Sequence, residues 1–305
     1  MRINKNIFLE KKINNDLIDN GYSIVDVLSS NDIKYLLELY KETRTKDNNI
    51  NNHLYVSSRE CDFNTSIQIS NKIRELIQPY FQTIAIDFDL YGGAFLSKPK
   101  LIENEFSLHQ DFTLVEKEKD KMYAIWIALQ DTTINNGCMY IVKNSHKLFD
   151  NYVSASYNNH KIHRNKISNK YIIDIELKAG QGMIFCDNIF HGSYPNVSSE
   201  DRIAITTRIA NKGAQFVFYD IADKNTCIQY NIEPHDLIQY FDDFQKGNLP
   251  KHLTESRRFH YIHRPITSKY LQIALKYNSK NGKNSTLQKL YYNAQLYCDK
   301  ILNSI

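Results

Sequence analysis

The feature that most constrains the fold is a succession of short β-like segments between about Ile84 and Ala210. Apolar stretches of strand length alternate there with brief turns, strand after strand. This pattern is typical of an antiparallel barrel or sandwich. The polar stretch 147–170 has no clear period and is interpreted as an insertion between strands. The sequence therefore predicts a mainly β fold built around this region.

Helical patterns flank the β-rich region on both sides. A strand at 22–27 is followed by an amphipathic helix capped near Ser29, and a second helix is expected to stop near Pro79. After Gly213 one more β-like piece precedes further helical patterns, the strongest at 285–302. We divide the chain into 1–212, a barrel with N-terminal helices, and 213–305, a last β piece and a helical extension packed on the barrel. The C-terminal helix could instead form a homodimer.

Charge is distributed unevenly along the 305 residues, whose net charge is +4. From Lys251 onward there are ten Lys or Arg and two Asp or Glu, so this part is net +8 and the rest is net −4. The segment 255–269 carries three arginines among aromatic residues. It could meet an anionic substrate, a phosphopantetheine arm or an acidic carrier protein. A solvated basic face on a helical extension has equal weight, and nucleic-acid binding ranks last because no motif supports it.

The composition excludes several classes of protein. No run of about 18 apolar residues is present, so a membrane span is not predicted. The N-terminal stretch is basic but lacks the apolar core of a secretory signal. Five widely spaced cysteines without a C-x-x-C pair predict neither a disulfide framework nor a zinc site. We therefore expect a cytoplasmic protein. Cys138 and Cys186, which are flanked by apolar residues, are interpreted as small buried hydrophobic side chains.

The stretch "SLHQDFTLV" (107–115) contains the residues with the clearest chemical meaning. On a strand, His109 and Asp111 point to the same face, and two such polar groups inside a barrel each need a partner. A divalent metal would serve both, and His191, after an apolar strand, is the candidate third ligand. Two histidines and a carboxylate are typical of non-haem Fe(II) oxygenases. A single H-x-D is a common chance pattern, so the assignment depends on the set.

An arginine follows the third candidate ligand. Arg202 opens the strand after a polar turn, where its planar guanidinium is suited to binding a carboxylate. Arg208 shares its strand face but lies about 20 Å further along an extended chain. We therefore expect Arg208 at the far end of the barrel, as a structural or surface residue.

Several ordered motifs resemble the phytanoyl-CoA dioxygenase family of Fe(II)/2-oxoglutarate-dependent oxygenases. They are "HQD" (109–111), "WIALQDTTINNGCMYIVKNSHK" (126–147), "AGQGMIFCDNIFHGSYPN" (179–196) and then Arg202. The resemblance covers roughly residues 16–212. One departure is "VKNSH" (142–146), where the family commonly has Pro-Gly before Ser or Thr and His.

The resemblance implies a double-stranded β-helix, or jelly-roll, barrel of the cupin type with a helical C-terminal extension. It implies that His109, Asp111 and His191 bind Fe(II) and that Arg202 binds the distal carboxylate of 2-oxoglutarate. Ser193 would hydrogen-bond the same carboxylate and Trp126 would pack against the cosubstrate, although a core aromatic residue is the alternative. Lys98 corresponds to a basic residue ahead of the metal motif.

The activity implied by the resemblance uses O2 and 2-oxoglutarate to hydroxylate an unactivated C–H bond, releasing succinate and CO2. The substrate would be a small molecule, or an acyl group on CoA or a carrier, and could be anionic. Asp111 argues against halogenation, because family halogenases have a small residue at that position. The alternatives are desaturation or cyclisation by the same fold, or a non-catalytic protein that binds metal or 2-oxoglutarate.

Overall fold

The computed structural model describes residues 7–44, 54–149, 151–156, 162–223, 225–263 and 265–281. The predicted helix at 285–302, with its proposed role in a dimer, lies outside these residues. Within them, no helix is long and apolar enough to cross a membrane.

The described residues contain thirteen strands. They are β1 (Tyr22–Asp26), β2 (Tyr55–Val56), β3 (Phe88–Lys98), β4 (Phe106–His109), β5 (Met122–Ala128), β6 (Met139–Val142), β7 (Ile172–Ile175), β8 (Gln181–Cys186), β9 (His191–Ser193), β10 (Arg202–Asn211), β11 (Val217–Asp223), β12 (Thr226–Asn231) and β13 (Glu255–His260).

Seven α-helices surround the strands. They are α1 (Lys11–Asp19), α2 (Ser30–Thr43), α3 (Ser57–Glu60), α4 (Phe63–Ile84), α5 (Asp236–Gln239), α6 (Phe241–Gln245) and α7 (Ser268–Asn281). Three short 3-10 helices, at Ser145–Lys147, Arg164–Lys166 and Asn169–Tyr171, lie between β6 and β7. They occupy the stretch that the sequence indicated as an insertion.

Two antiparallel sheets form the barrel. The larger has the order β1-β8-β5-β10-β3-β2 and the smaller has the order β4-β9-β6-β7. From β3 to β10 consecutive strands alternate between the two sheets, except for β6 and β7, which are neighbours in the smaller sheet. This alternation is typical of a jelly roll. The predicted mainly β jelly-roll fold with flanking helices is confirmed.

The two faces of the larger sheet bury different partners. Ile125 and Ile127 of β5 pack outward in a core shared with Ile69 and Ile73 of α4. Trp126 and its neighbours Ala124 and Ala128 face inward, toward the smaller sheet. The period of two along β5 therefore separates a structural core from the barrel interior. Small side chains beside Trp126 leave room inside the barrel.

Helix α2 begins as the sequence predicted, but α4 does not end as expected. Ser29 caps α2, since its hydroxyl accepts a hydrogen bond from the Asp32 amide at 3.3 Å. Helix α4 continues through Pro79 to Ile84. The expected stop at Pro79 is wrong because Ile77 and Phe81, on either side of it, are fully buried. Their packing outweighs the hydrogen bond that a proline cannot donate.

A bulge in β3 brings helix and sheet close together. Thr206 of β10 pairs with Ala94, but Arg208 pairs with Tyr91, so β3 has one extra residue at Gly92–Gly93. Gly93 has φ +148°, and a Cβ there would lie 2.9 Å from the Ser70 carbonyl oxygen of α4. A side chain at this position would push α4 away from the sheet.

The region after Gly213 contains more β structure than the sequence indicated. Strands β11, β12 and β13 form a separate antiparallel sheet, and only β11 was predicted. The basic segment at 255–260 is strand β13 and not part of a helix, because it pairs in register with β12. The helical pattern at 234–245 forms two short helices, interrupted at Tyr240.

Candidate metal centre and its cavity

Strand pairing brings the three candidate metal ligands together. His109 at the end of β4 lies directly opposite His191 at the start of β9. Asp111 Oδ1 is 3.9 Å from His109 Nε2 and 3.8 Å from His191 Nε2. One nitrogen or oxygen atom from each residue lies within 4.8 Å of the others. Three donor atoms therefore converge on one point, as binding of a cation with tetrahedral or octahedral coordination requires.

Both imidazole rings are oriented by their own backbone. His109 Nδ1 lies 3.0 Å from the Ser107 carbonyl oxygen, and His191 Nδ1 lies 3.1 Å from that of Ile189. A carbonyl oxygen only accepts, so each Nδ1 carries the proton and each Nε2 presents a lone pair. This outer hydrogen bond is the usual means of orienting a metal-bound histidine.

The charge states of the triad suit a cation. Burial, and then the neighbouring His191, lower the pKa of His109 to about 4, so its ring is neutral at neutral pH. Burial alone would raise the pKa of Asp111, but Arg208 and the two histidines outweigh it and hold this pKa below its usual value. Two imidazoles and one carboxylate are the donor set that Fe(II) accepts in a facial triad.

Arg208 lies beside the triad, contrary to the expectation that it would be at the far barrel end. Its Nη2 is 3.1 Å from Asp111 Oδ2, the oxygen that does not face the histidines. The extended-strand distance considered only the backbone, whereas a long arginine side chain reaches back into the barrel. The sequence contained one signal for this position, namely that Arg208 shares a strand face with Arg202. The backbone distance outweighed this signal in the prediction. Arg208 thus leaves only Oδ1 of Asp111 free for a metal.

The segment before His191 is held by the turn that departs from the family pattern. Asn144 has φ 61°, a left-handed conformation that asparagine tolerates better than most residues, so it replaces glycine. The buried Ser145 hydroxyl then accepts a hydrogen bond of 2.8 Å from the Phe190 amide. The substituted turn therefore still fixes the residue that precedes His191.

Arg202 is a buried cation without an anion. Its side chain is 2% exposed, and its Cζ lies 5.2 Å from the centre of the Trp126 ring. Burial lowers the pKa of Arg202 to about 10. Its Nε and Nη1 have no hydrogen-bond partner among the described residues. Leaving such groups unpaired is costly, and a carboxylate in the cavity could accept hydrogen bonds from this guanidinium.

Lys98 and Ser193 lie next to Arg202. Lys98 pairs with Arg202 across β3 and β10, and its Nζ donates to Ser193 Oγ at 2.7 Å and to the carbonyl oxygen of Tyr194. Burial, and then the charge of Arg202, lower the pKa of Lys98 to about 7. Since Ser193 Oγ accepts from Lys98, its own proton remains available to an anion.

All seven residues singled out from the sequence line one cavity of about 610 Å³. We call Lys98, Trp126, Ser193 and Arg202 the inner end. The cavity also has a wall from outside the two barrel sheets, formed by Arg59 of α3 with Leu237, Ile238 and Phe241 of α5 and α6. We call these four residues the outer end. Its volume is within the range of small-molecule sites, and sequence patterns gave no signal for the outer end.

A jelly-roll barrel that brings two histidines and a carboxylate to one point defines the class of non-haem iron oxygenase folds. The sequence model described as "Phytanoyl-CoA dioxygenase (PhyH)" matches residues 41–204. The chain belongs to this family, as the sequence motifs predicted.

Individual relatives are distant. Phytanoyl-CoA dioxygenase 1 of Oryza sativa subsp. japonica is 25% identical over 149 residues, covering 48% of this chain and 51% of the relative. A phytanoyl-CoA dioxygenase domain-containing protein 1 homolog of Dictyostelium discoideum is 28% identical over 159 residues, covering 50% and 55%. The chain thus spans about half the length of these relatives.

A solved structure supports the fold. HygX from Streptomyces hygroscopicus, with nickel and 2-oxoglutarate bound, has 13% sequence identity and a TM-score of 0.50, covering 67% of this chain and 88% of that chain. At this identity the similarity concerns the barrel and not the chemistry.

Proposed function

We propose that the protein is an Fe(II)- and 2-oxoglutarate-dependent dioxygenase that hydroxylates an unactivated C–H bond. The observation that carries the proposal is the buried, unpaired guanidinium of Arg202 in the same cavity as the triad. A structural arginine would have an acidic partner, as Arg208 has in Asp111. A dianionic cosubstrate supplies that partner, and family membership makes 2-oxoglutarate the dianion.

His109, Asp111 and His191 would hold Fe(II) through Nε2, Oδ1 and Nε2. When bound, the metal supplies the activation of dioxygen that is coupled to decarboxylation of 2-oxoglutarate and oxidation of the substrate. Because three ligands come from the protein, the other coordination positions are open to the keto acid and O2.

The inner end would bind and orient the cosubstrate. Arg202 would pair with the distal carboxylate through its guanidinium N–H groups, and Ser193 would donate its hydroxyl proton to the same group. Trp126 would cover the methylene carbons, since it already stacks on Arg202. The apolar residues around the cavity would exclude water from the reacting carbon.

The substrate would be a small molecule or an acyl group on CoA or a carrier. The cavity supports the small-molecule part of this proposal, because its apolar lining and volume suit a ligand of that size. The described basic strand β13 carries exposed Arg257 and Arg258, although Arg258 is already paired with Glu255 at 2.7 Å. It therefore adds little support for an acidic carrier.

The experiment is an anaerobic titration of the purified protein with Fe(II) and then 2-oxoglutarate. The chelate gives a weak visible charge-transfer band, which we expect to saturate at one equivalent of iron. The band should be lost or much weakened in Arg202→Ala and retained in Arg257→Ala, a matched exposed arginine. No band at stoichiometric iron would refute the assignment and favour a binding protein without catalysis.

The triad is tested separately by turnover. Each of His109→Ala, Asp111→Ala and His191→Ala should abolish 2-oxoglutarate-dependent succinate formation, because each removes one of three ligands. The exposed His260 gives the matched control, since His260→Ala should leave succinate formation unchanged. Substantial activity in any triad variant would contradict the metal site.

A further inference from the structure

The outer end contains a second arginine, Arg59, that forms no ion pair among the described residues, although the negative charges of Asp242 and Glu60 partly oppose the effect of burial on its pKa. Arg59 lies over the Phe241 ring, with its Cζ 4.0 Å from the ring centre. No hydrogen bond or ion pair joins Arg59 to any residue in the described parts of the chain. It lines the cavity and is open to solvent there. Stacking holds the guanidinium plane in place while its N–H groups stay free.

The other charged groups of the cavity wall already have partners. Asp111 accepts from Arg208 at 3.1 Å. Glu105 accepts from His163 Nδ1 and from the Arg164 amide, each at 3.0 Å. Lys98 donates to Ser193 and Tyr194. Among the charged residues lining this cavity, Arg202 and Arg59 therefore remain for ligands, and the proposed function assigns Arg202 to 2-oxoglutarate.

Arg59 is close to the metal centre. Burial and His191 are the main causes that lower the pKa of His109, and the positive charge of Arg59 is a further cause. The cavity lining also includes the apolar side chains of Leu54, Val56, Leu237 and Ile238. A ligand that fits this wall has an apolar body and one anionic group.

We propose that Arg59 binds a carboxylate or phosphate group of the substrate and thereby sets which carbon faces the metal. The proposal rests on the proposed function, since it takes the substrate to occupy the same cavity as the cosubstrate. It makes the substrate class an anionic amphiphile. An exposed, stacked arginine suits recognition by a planar, charge-assisted contact that forms and breaks readily.

The test uses three probes of equal chain length: octanoate, octyl phosphate and the neutral 1-octanol. Each is titrated by calorimetry into the full-length protein loaded with redox-inert Mn(II) and saturating 2-oxoglutarate. We expect at least one anionic probe to bind about tenfold tighter than octanol, the ratio that one charge-assisted contact supplies. Octanoate and octyl phosphate distinguish a free acid from a phosphate-terminated substrate, and preference for either supports the proposal.

Two variants assign the preference to Arg59. In Arg59→Gln the anionic probes should bind no more tightly than octanol. Arg59→Lys should keep part of the preference for anionic probes, because the lysine ammonium still supplies a point charge. Arg257→Gln is the matched control, because Arg257 stacks on Phe259 at 4.5 Å outside the cavity. The Arg257→Gln protein should prefer the anionic probes over octanol to the same degree as the wild type. Each variant should unfold at the wild-type temperature.

The outcomes separate this proposal from the proposed function. Equal binding of octanol and both anions, no binding of any probe, or an unchanged preference in Arg59→Gln would each overturn the role of Arg59. Failure of 2-oxoglutarate itself to bind the Mn(II) protein would refute the proposed function. The same three titrations on the metal-free protein would then still decide whether Arg59 binds an anion.

Discussion

The two ends of the cavity each present an arginine on an aromatic ring, but in different surroundings. Arg202 at the inner end is 2% exposed and carried by a central barrel strand. Arg59 at the outer end is open to solvent and carried by a four-residue helix against α6. A buried guanidinium demands one well-fitting anion, whereas an open one can exchange its ligand. The inner end thus suits an invariant cosubstrate and the outer end a specific substrate.

The family comparison separates the two ends only in part, because Arg59 of the outer end also lies within the matched segment. The residues of the inner end all lie within the matched segment 41–204, whereas Leu237, Ile238 and Phe241 come after it. The shared chemistry would then reside in the matched barrel, and the choice of substrate would depend partly on the region that follows it.

The largest expected effect is at Arg202. Arg202→Met should weaken 2-oxoglutarate binding by about 3 kcal/mol, or ~100-fold, because it removes a buried charge-assisted pair. It should also raise the free energy of unfolding without cosubstrate by about 1–3 kcal/mol, since an unpaired buried cation is lost. Calorimetry and urea unfolding measure the two effects.

Arg59→Met is the matched variant for that contrast. An exposed arginine should change the free energy of unfolding by less than about 0.5 kcal/mol when replaced. If both variants changed stability equally, the distinction between a buried and an open end would fail.

The next effect is at Arg208, which contacts the triad but neither end. Arg208→Ala should weaken Mn(II) binding by about 10- to 100-fold, as removal of a partner of a metal ligand usually does. The reason is that Asp111 would no longer be held through Oδ2. Electron paramagnetic resonance of Mn(II) measures both the affinity and the altered ligand geometry. Wild-type affinity in Arg208→Ala would show that Asp111 is oriented by the backbone alone.

A pH effect should distinguish the inner end from the outer end. Burial lowers the pKa of Lys98 to about 7 from the usual 10.5, so between these values the unfolded chain binds a proton that the folded chain does not. The free energy of unfolding should therefore rise with pH across this window, by at most about 1.4 kcal/mol per pH unit.

The measurement is urea unfolding of the cosubstrate-free protein between pH 7 and about pH 10, the range set by these pKa values. The slope should disappear in Lys98→Met. Arg59→Met should keep it, because Arg59 stays charged throughout this range. An unchanged slope in Lys98→Met would assign the titration to another group.

The smallest effect is at the ring beneath Arg59. Phe241→Leu keeps an apolar side chain but removes the cation–π contact, worth about 0.5–1 kcal/mol at an exposed site. Binding of the preferred anionic probe should fall by about two- to fivefold, while binding of octanol stays the same. Calorimetry measures both, and an equal loss for octanol would show that the ring acts only as apolar surface.

The sequence was informative where local patterns determine structure. The pattern around His109 and Asp111 predicted that they lie together, which they do, although β4 ends at His109 and Asp111 follows the strand. The order of motifs along the chain pointed to His191 and Arg202. The same local rules predicted the start of α2 from Ser29. The helix start depends on residues within about one turn of each other, whereas His191 and Arg202 were inferred from motifs spread along the chain.

Features that depend on distant contacts were missed. The end of α4 is decided by the buried packing of Ile77 and Phe81, which outweighs the local effect of Pro79. The contact of Arg59 with Phe241 joins residues far apart in the chain, and no periodicity reveals such a pair. Arg208 was misplaced because a backbone distance does not include the reach of its side chain.

Strand β10 carries both Arg202 and Arg208 and is hydrogen-bonded along its length to β3 and β5. The backbone spacing between these two residues is therefore held by these strand pairings. Under the proposed function, β10 would hold Arg202 at one distance from the triad. A dicarboxylate whose keto end reaches the triad would then have to match that distance in length. We expect a diacid one methylene shorter to lose contact with Arg202 and one methylene longer to be crowded out. Selection of the five-carbon keto acid would then follow from backbone geometry rather than from any single side chain.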